Sequence, residues 1–141
     1  MKRYPMFLLL MVLGLISCES ENPCESYQLG KSFEIQVGET IAFCTEPITL
    51  SFSKVTEDSR CPENVVCIWQ GLAEVEVFIS VNATEETFLL STYPTFRNIP
   101  SEVTFGNYKI SLKEVIPYPN TTKSYTEKDY SIQLLVEKTE E

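Results

Sequence analysis

Apolar and polar residues alternate along most of the chain, and this pattern constrains the fold more than any other feature. In the longest run, an apolar residue stands at every second position from Ala73 to Val81. A period of two residues is typical of a β-strand that buries one face. No stretch of helical length carries an apolar stripe at helical spacing. Further short strands are predicted over residues 33–37, 41–43, 48–55, 87–91, 108–115 and 130–136. The sequence therefore predicts an all-β fold.

About seven or eight short strands indicate a small antiparallel barrel, with an up-and-down order favoured and a β-sandwich as the alternative. The segments Ile48–Val55 and Tyr108–Val115 share one pattern, in which the alternation slips by one residue before the final valine. A β-bulge produces such a slip, and bulges bend strands as barrel closure requires. The side chains large enough to fill such a barrel are Phe33, Phe43, Phe52, Trp69 and Phe88.

The first residues have the character of a targeting signal. Lys2 and Arg3 precede the apolar run Met6–Ile16. That run is shorter than the roughly 20 residues of a membrane-spanning helix but suits the apolar region of a signal peptide.

The end of this segment, Leu15-Ile16-Ser17-Cys18, resembles the lipobox of bacterial lipoproteins. The resemblance implies cleavage before Cys18, lipidation of that cysteine, and a place in the cell envelope on the outer membrane. The chain then divides into a signal peptide (1–17), a lipidated tether (18–28) and a single β domain (29–138). The alternative is an ordinary signal peptide that leaves Cys18 as a disulfide partner.

Four cysteines remain if Cys18 is lipidated, and an even number in an exported chain indicates two disulfides. We favour Cys61–Cys67, which closes a short loop, together with Cys24–Cys44. A four-cysteine zinc site is the alternative, but it requires two pairs of closely spaced cysteines.

Charge and composition argue against several function classes. The 141 residues include 20 Asp+Glu, 11 Lys+Arg and no His, so the net charge is −9. An acidic chain repels phosphate, which argues against nucleic acid as a partner. The missing histidine removes the usual activation of serine and cysteine nucleophiles. Glu74 and Glu76 lie on the polar side of a strand, where we expect solvated charges. We therefore expect no catalytic residues, no metal and no cofactor.

The stretches Asp58–Pro62 and Cys67–Gly71 are the most distinctive in the sequence. Together they resemble a motif, D-S-R-C-P-x5-C-x-W-x-G, of small exported proteins of the Bacteroidetes type. We expect Trp69 to fill one end of the core and Gly71 to allow a tight bend. Arg60 is expected to pair with the aspartate or to cap exposed carbonyls. We favour a structural purpose for this motif, with a partner-binding surface as the alternative.

Mature length, lipid anchor and all-β pattern make the chain similar in architecture to the potempins. These are lipoprotein inhibitors that protect an outer membrane against the bacterium's own secreted peptidases. The resemblance implies a peptidase as partner but allows no inhibitory residue to be carried over.

Two proline-containing loops, 91–100 and 117–125, supply the candidate partner-binding residues Tyr93, Phe96, Arg97 and Tyr118. Aromatic and arginine side chains on stiff loops lose little entropy on binding, which suits an interface. Alternatively, the aromatic rings cover the ends of the barrel.

The sequence thus predicts a membrane-anchored binding protein, with inhibition of a secreted peptidase as the favoured function. The alternatives are a structural or assembly subunit of an envelope complex, and a barrel that binds a small molecule or lipid.

Overall fold

The computed structural model describes residues 27–94 and 96–139, and this part of the chain is an all-β domain, as predicted. It contains one short 3₁₀ helix, Glu127–Asp129. No helix of these residues is long and apolar enough to cross a membrane. The strands are β1 (Ser32–Gln36), β2 (Thr40–Ala42), β3 (Ile48–Asp58), β4 (Ala73–Val81), β5 (Thr84–Ser91), β6 (Glu102–Phe105), β7 (Tyr108–Ile116) and β8 (Ser131–Lys138).

The strands form two antiparallel sheets of four, in the orders β1-β8-β7-β6 and β2-β3-β4-β5. Strands that follow each other in sequence are neighbours except at β1–β2 and β5–β6, and β1 pairs with β8. This is the strand order of an up-and-down barrel in which two neighbouring pairs, β1–β2 and β5–β6, do not form a ladder. We call these two places the open seams. The preference for a closed barrel was therefore wrong, and the alternative, a sandwich, describes the fold.

The open seams have a local cause. The two shortest strands, β2 and β6, border them, so little backbone is available for a ladder. At the β5–β6 seam, the Ser91 amide donates to the carbonyl of Pro100 at 2.9 Å before the chain crosses to the other sheet. Pro100 has no N–H group to return that bond. The sheets consequently pack face to face without joining.

Both β-bulges expected from the sequence are present. The pairing of β3 with β4 shifts register between Phe52 and Lys54, and that of β7 with β8 shifts between Leu112 and Glu114. An extra residue on one strand turns the following side chain back to the same face. Val115 is consequently fully buried.

Alternate side chains from both sheets fill the space between them. Phe52 is the largest fully buried side chain, and the aliphatic residues of β3, β4, β7 and β8 surround it. A packed interior of this kind has the density of a solid and leaves little room for a ligand. The residues without measurable exposure include Ile35, Ile48, Leu50, Val75, Val77, Ile79, Ile110, Ile132, Leu134 and Val136.

Candidate protein-binding site

The loops β1–β2, β3–β4, β5–β6 and β7–β8 all leave the same end of the sandwich, because consecutive strands run up and down. We call this the loop end. Tyr93, Phe96, Arg97 and Tyr118, the four predicted partner-binding residues, all lie on its loops.

The β3–β4 loop continues the ladder of its two strands before it opens. The Ser59 amide donates to the carbonyl of Leu72, and the Cys61 amide donates to that of Gln70, both at 2.8 Å. The predicted disulfide between Cys61 and Cys67 is present and closes the loop just beyond these bonds. The base of the loop is thus held by both hydrogen bonds and a covalent link.

Gly71 allows the two sides of this loop to approach closely, as predicted for a tight bend. Its φ angle is +68°, a left-handed conformation that side chains rarely adopt. A Cβ atom at this position would lie 1.8 Å from the carbonyl oxygen of Ser59. No other residue type fits here without moving the backbone.

Arg60 links the β3–β4 loop to the opposite sheet. It makes both of the contacts that the sequence suggested, an ion pair with Asp58 and hydrogen bonds to backbone carbonyls. Its Nε and Nη2 atoms donate to the two carboxylate oxygens of Asp58 at 2.8 and 2.7 Å. Its Nη1 and Nη2 atoms also donate to the carbonyls of Val115 and Pro117, at 2.5 and 2.8 Å, where β7 ends. Both side chains of the ion pair are almost fully buried. This pair is a structural joint between the sheets.

Two tyrosines complete the joint. The Arg60 guanidinium lies 4.8 Å from the ring centre of Tyr118, within cation–π distance. The hydroxyl of Tyr130 donates to Asp58 at 3.1 Å. Burial, followed by the charge and the hydrogen bond of Asp58, raises the pKa of Tyr130 above its usual value. Tyr118 is exposed by 43% and is therefore available to a partner.

Trp69, Tyr93 and Phe96 form an aromatic cluster on the surface. The Trp69 ring lies 6.0 Å from Tyr93 and 4.7 Å from Phe96, centre to centre. Trp69 is exposed by 43% and Phe96 by 55%. The expectation that Trp69 fills the end of the core was wrong, because the loop carries it outside both sheets, where it packs against the β5–β6 loop.

Arg97 joins this cluster to the strands. Its guanidinium pairs with Glu57 and lies 3.4 Å from a carboxylate oxygen of Glu74. It also lies 6.0 Å from the ring centre of Phe96. Glu74 is buried beneath it, so the expectation of a solvated charge there was wrong. The ion pairs hold the β5–β6 loop against β3 and β4.

The first half of the disulfide loop is held by the β7–β8 loop. The Glu63 amide donates to the carbonyl of Pro119 at 3.0 Å, and its side chain accepts a bond from Asn120 at 2.8 Å. Asn64 exchanges two hydrogen bonds with Thr121, at 2.6 and 3.1 Å. Residues 62–64 consequently have a defined position relative to the β7–β8 loop of the opposite sheet.

The second half of the disulfide loop projects from the molecule, together with Ile68, the residue that follows it. Val65 is exposed by 44%, and Val66 and Ile68 are completely exposed. Sequence reasoning favoured a structural purpose for this stretch over a partner-binding surface, and it singled out none of these residues. A signal was present for Val65 and Val66, since a ring closed over a sequence separation of 6 is too small to bury its own aliphatic side chains.

Tyr118 stands apart from the aromatic cluster. A groove of about 230 Å³ is lined by Arg60, Gln70, Thr92 and Tyr118, among others. The predicted set is thus split between the cluster (Tyr93, Phe96 and Arg97) and the Arg60 joint. The loop end as a whole presents aromatic and aliphatic side chains on a braced backbone, which is the chemistry of a protein-binding surface.

The other predicted cysteines lie elsewhere. Cys44 is exposed in the β2–β3 loop, at the opposite end, and it forms no disulfide with another described cysteine. Its predicted partner Cys24 and the predicted lipidation site Cys18 lie outside the described residues.

No protein-family model matches the chain, and neither a curated protein nor a solved structure matches it. In residues 27–94 and 96–139, no group of three or more His, Cys, Asp or Glu side chains is arranged to hold a metal ion.

Proposed function

We propose that the protein is a membrane-anchored lipoprotein that binds and inhibits a secreted peptidase. One observation carries the proposal: aromatic and aliphatic side chains are exposed together at the loop end, on loops held by a disulfide, ion pairs and hydrogen bonds. A surface of this kind is suited to a protein partner. The acidic composition without histidine supports binding rather than turnover.

Rigidity is what an inhibitor of a peptidase requires. The loops are already ordered by the disulfide, the Arg60 joint and the Arg97 ion pairs. Ordering a flexible loop on binding costs about 0.5–1.5 kcal/mol for each immobilised side chain, and a braced loop avoids much of this cost. A braced backbone also resists the local unfolding that proteolysis needs.

The filled interior favours this function over a barrel that binds a small molecule or lipid. Phe52 and the aliphatic side chains around it occupy the space between the sheets. Ligand sites are usually cavities of about 300–1,000 Å³, and in this domain packed side chains fill the space that such a cavity would need.

Inhibition is tested with residues 19–141, the predicted mature chain without its lipidated cysteine. Increasing amounts are added to peptidase activities from the culture supernatant of the source organism, covering serine and metal-dependent classes. We expect one activity to fall stoichiometrically. Phe96→Ala and Arg97→Ala should weaken inhibition, whereas Leu89→Ala, an exposed apolar residue on β5, should not. If no activity falls at micromolar protein and the protein is not degraded, inhibition is refuted in favour of an envelope subunit.

The anchor is tested separately in the source organism. Cys18→Ala should abolish palmitate labelling and release the protein from membranes, because a thioether-linked lipid needs that sulfur. Ser17→Ala, which keeps a small residue before the cysteine, is the matched control and should be labelled normally. Unchanged labelling of the Cys18→Ala variant would refute the lipoprotein assignment.

A further inference from the structure

The segment Val65–Ile68 differs from every other loop at this end. Val66 and Ile68 are exposed by 101% and 109%, the highest values among the exposed large hydrophobic residues of the described chain. Folded proteins usually keep such aliphatic side chains away from water. Two of them on either side of the disulfide-bonded Cys67 mark a contact surface rather than a chance exposure.

The backbone of this segment is also available. Within residues 27–94 and 96–139, the N–H groups of Val66, Cys67, Ile68 and Trp69 donate no hydrogen bond to another protein group. The residues on either side are tied down, because residues 63 and 64 bind the β7–β8 loop before the segment and the carbonyl of Gln70 accepts from the Cys61 amide after it. Four consecutive amides are thus presented to a partner on a backbone fixed at both ends.

The side chains of this segment are divided between the disulfide and solvent. Cys67 points back to the disulfide, while Val66 and Ile68 on either side of it point into solvent. The two aliphatic side chains and the amides between them are therefore open to one partner. Recognition by backbone hydrogen bonds, with pockets for alternate side chains, is how an extended peptide is bound.

We propose that Val65–Ile68 enters the substrate-binding cleft of the inhibited peptidase, with Val66 and Ile68 in two apolar pockets. This inference rests on the proposed function and names its contact residues and its target class. The target is a peptidase whose cleft accepts β-branched aliphatic side chains. The aromatic cluster (Trp69, Tyr93 and Phe96) then contacts the rim of the cleft beside the inserted loop.

The disulfide explains why such a loop inhibits rather than serves as a substrate. Cys61 and Cys67 are covalently joined, and the bond from Cys61 to Gln70 closes the other side. If the peptide bond after Val65 or after Val66 were cut, the two new ends would stay joined through the disulfide, which spans both of these bonds. Release of product is thereby slowed, and the cleft stays occupied.

The test uses charge at the tip of the loop. Val66→Asp and Ile68→Asp introduce a carboxylate that an apolar pocket cannot solvate, and each should weaken inhibition by at least about thirty-fold, the change typical of a hot-spot residue. Leu89→Asp, on the outer surface of β5, is the matched control and should change inhibition less than about three-fold. All three positions are exposed, so the thermal unfolding midpoints of the three variants should agree with that of the wild type. This agreement is the check that the variants are folded.

The outcomes separate this inference from the proposed function. Inhibition by the wild type that is lost in both loop variants supports both. Inhibition that survives Val66→Asp and Ile68→Asp overturns the loop and leaves the function standing. A wild type that inhibits no peptidase overturns both.

Insertion into the cleft has its own measurement. The peptidase is inactivated with a covalent reagent that fills its active site, and binding of the wild-type protein is then measured. Binding should fall at least about thirty-fold, because the loop and the reagent compete for one cleft. Unchanged binding would overturn the insertion. A loop that instead binds lipid vesicles, with binding lost in Val66→Asp, would also overturn it.

Discussion

Replacing Arg60 with alanine should destabilise the protein more than any surface substitution. The change leaves the buried Asp58 carboxylate with the Tyr130 hydroxyl as its remaining side-chain donor. It also removes the donors to the carbonyls of Val115 and Pro117. Removing one partner of a buried ion pair costs about 3–5 kcal/mol of unfolding free energy, since the other charge stays buried without compensation.

The assay is urea denaturation of residues 19–141, followed by far-ultraviolet circular dichroism. Lys54→Ala is the control, because it breaks the exposed Lys54–Glu76 pair and should cost less than about 1 kcal/mol. Removing both Asp58 and Arg60 should cost less than the sum of the two single changes.

Arg60→Lys keeps the charge but not the planar fork, so its stability should lie between those of the wild type and Arg60→Ala. The unfolding free energy of the Arg60→Lys variant can also be measured if Arg60→Ala does not fold. An Arg60→Ala protein within about 1 kcal/mol of the wild type would refute the role of this pair as the joint between the sheets.

Three further changes have defined outcomes. Replacing Cys61 and Cys67 with serine should lower the unfolding free energy by about 2–3 kcal/mol, because only a short loop loses its closure. Gly71→Ala should cost about 3 kcal/mol or more in the same denaturation assay, through the left-handed φ and the overlap with a backbone carbonyl. Burial, then the hydrogen bond to Glu46, raises the pKa of Tyr108 from 10.0 to about 12. The folded state thus holds this proton more tightly, so the stability it contributes is complete below pH 10 and is lost as the pH rises through 12. Tyr108→Phe should remove the late phenolate step from an absorbance titration; an unchanged titration would contradict this assignment.

The strands were predictable where a regular pattern extends over many residues. Strands β3, β4, β7 and β8 each bury one face, so the alternation in the sequence directly reports their position. The slips in that alternation likewise located the two bulges. Strand β6 was missed because it has only four residues, and its two apolar side chains, Val103 and Phe105, are half buried.

Individual residues of the loop end were less predictable. The aromatic residues of the β5–β6 loop were expected to be either contacts or lids, and the structure leaves Phe96 largely exposed. Trp69 and Glu74 were misjudged because residue type alone suggested a buried ring and a solvated charge. The β5–β6 loop accounts for both errors. Trp69 packs against Phe96 of this loop, outside the sheets, and Arg97 of the same loop covers Glu74.

The sequence by itself determined the all-β character, the main strands, the bulges and the Cys61–Cys67 loop, because each depends on residues close together in the chain. Only the tertiary structure decided that the strands leave two open seams and form a sandwich. It also decided that Arg60 meets the carbonyl of Val115, at a separation of 55 residues, and that Val66 and Ile68 project into solvent. Alternation reports which face of a strand is buried, but it carries no information about which distant backbone or side chain covers that face.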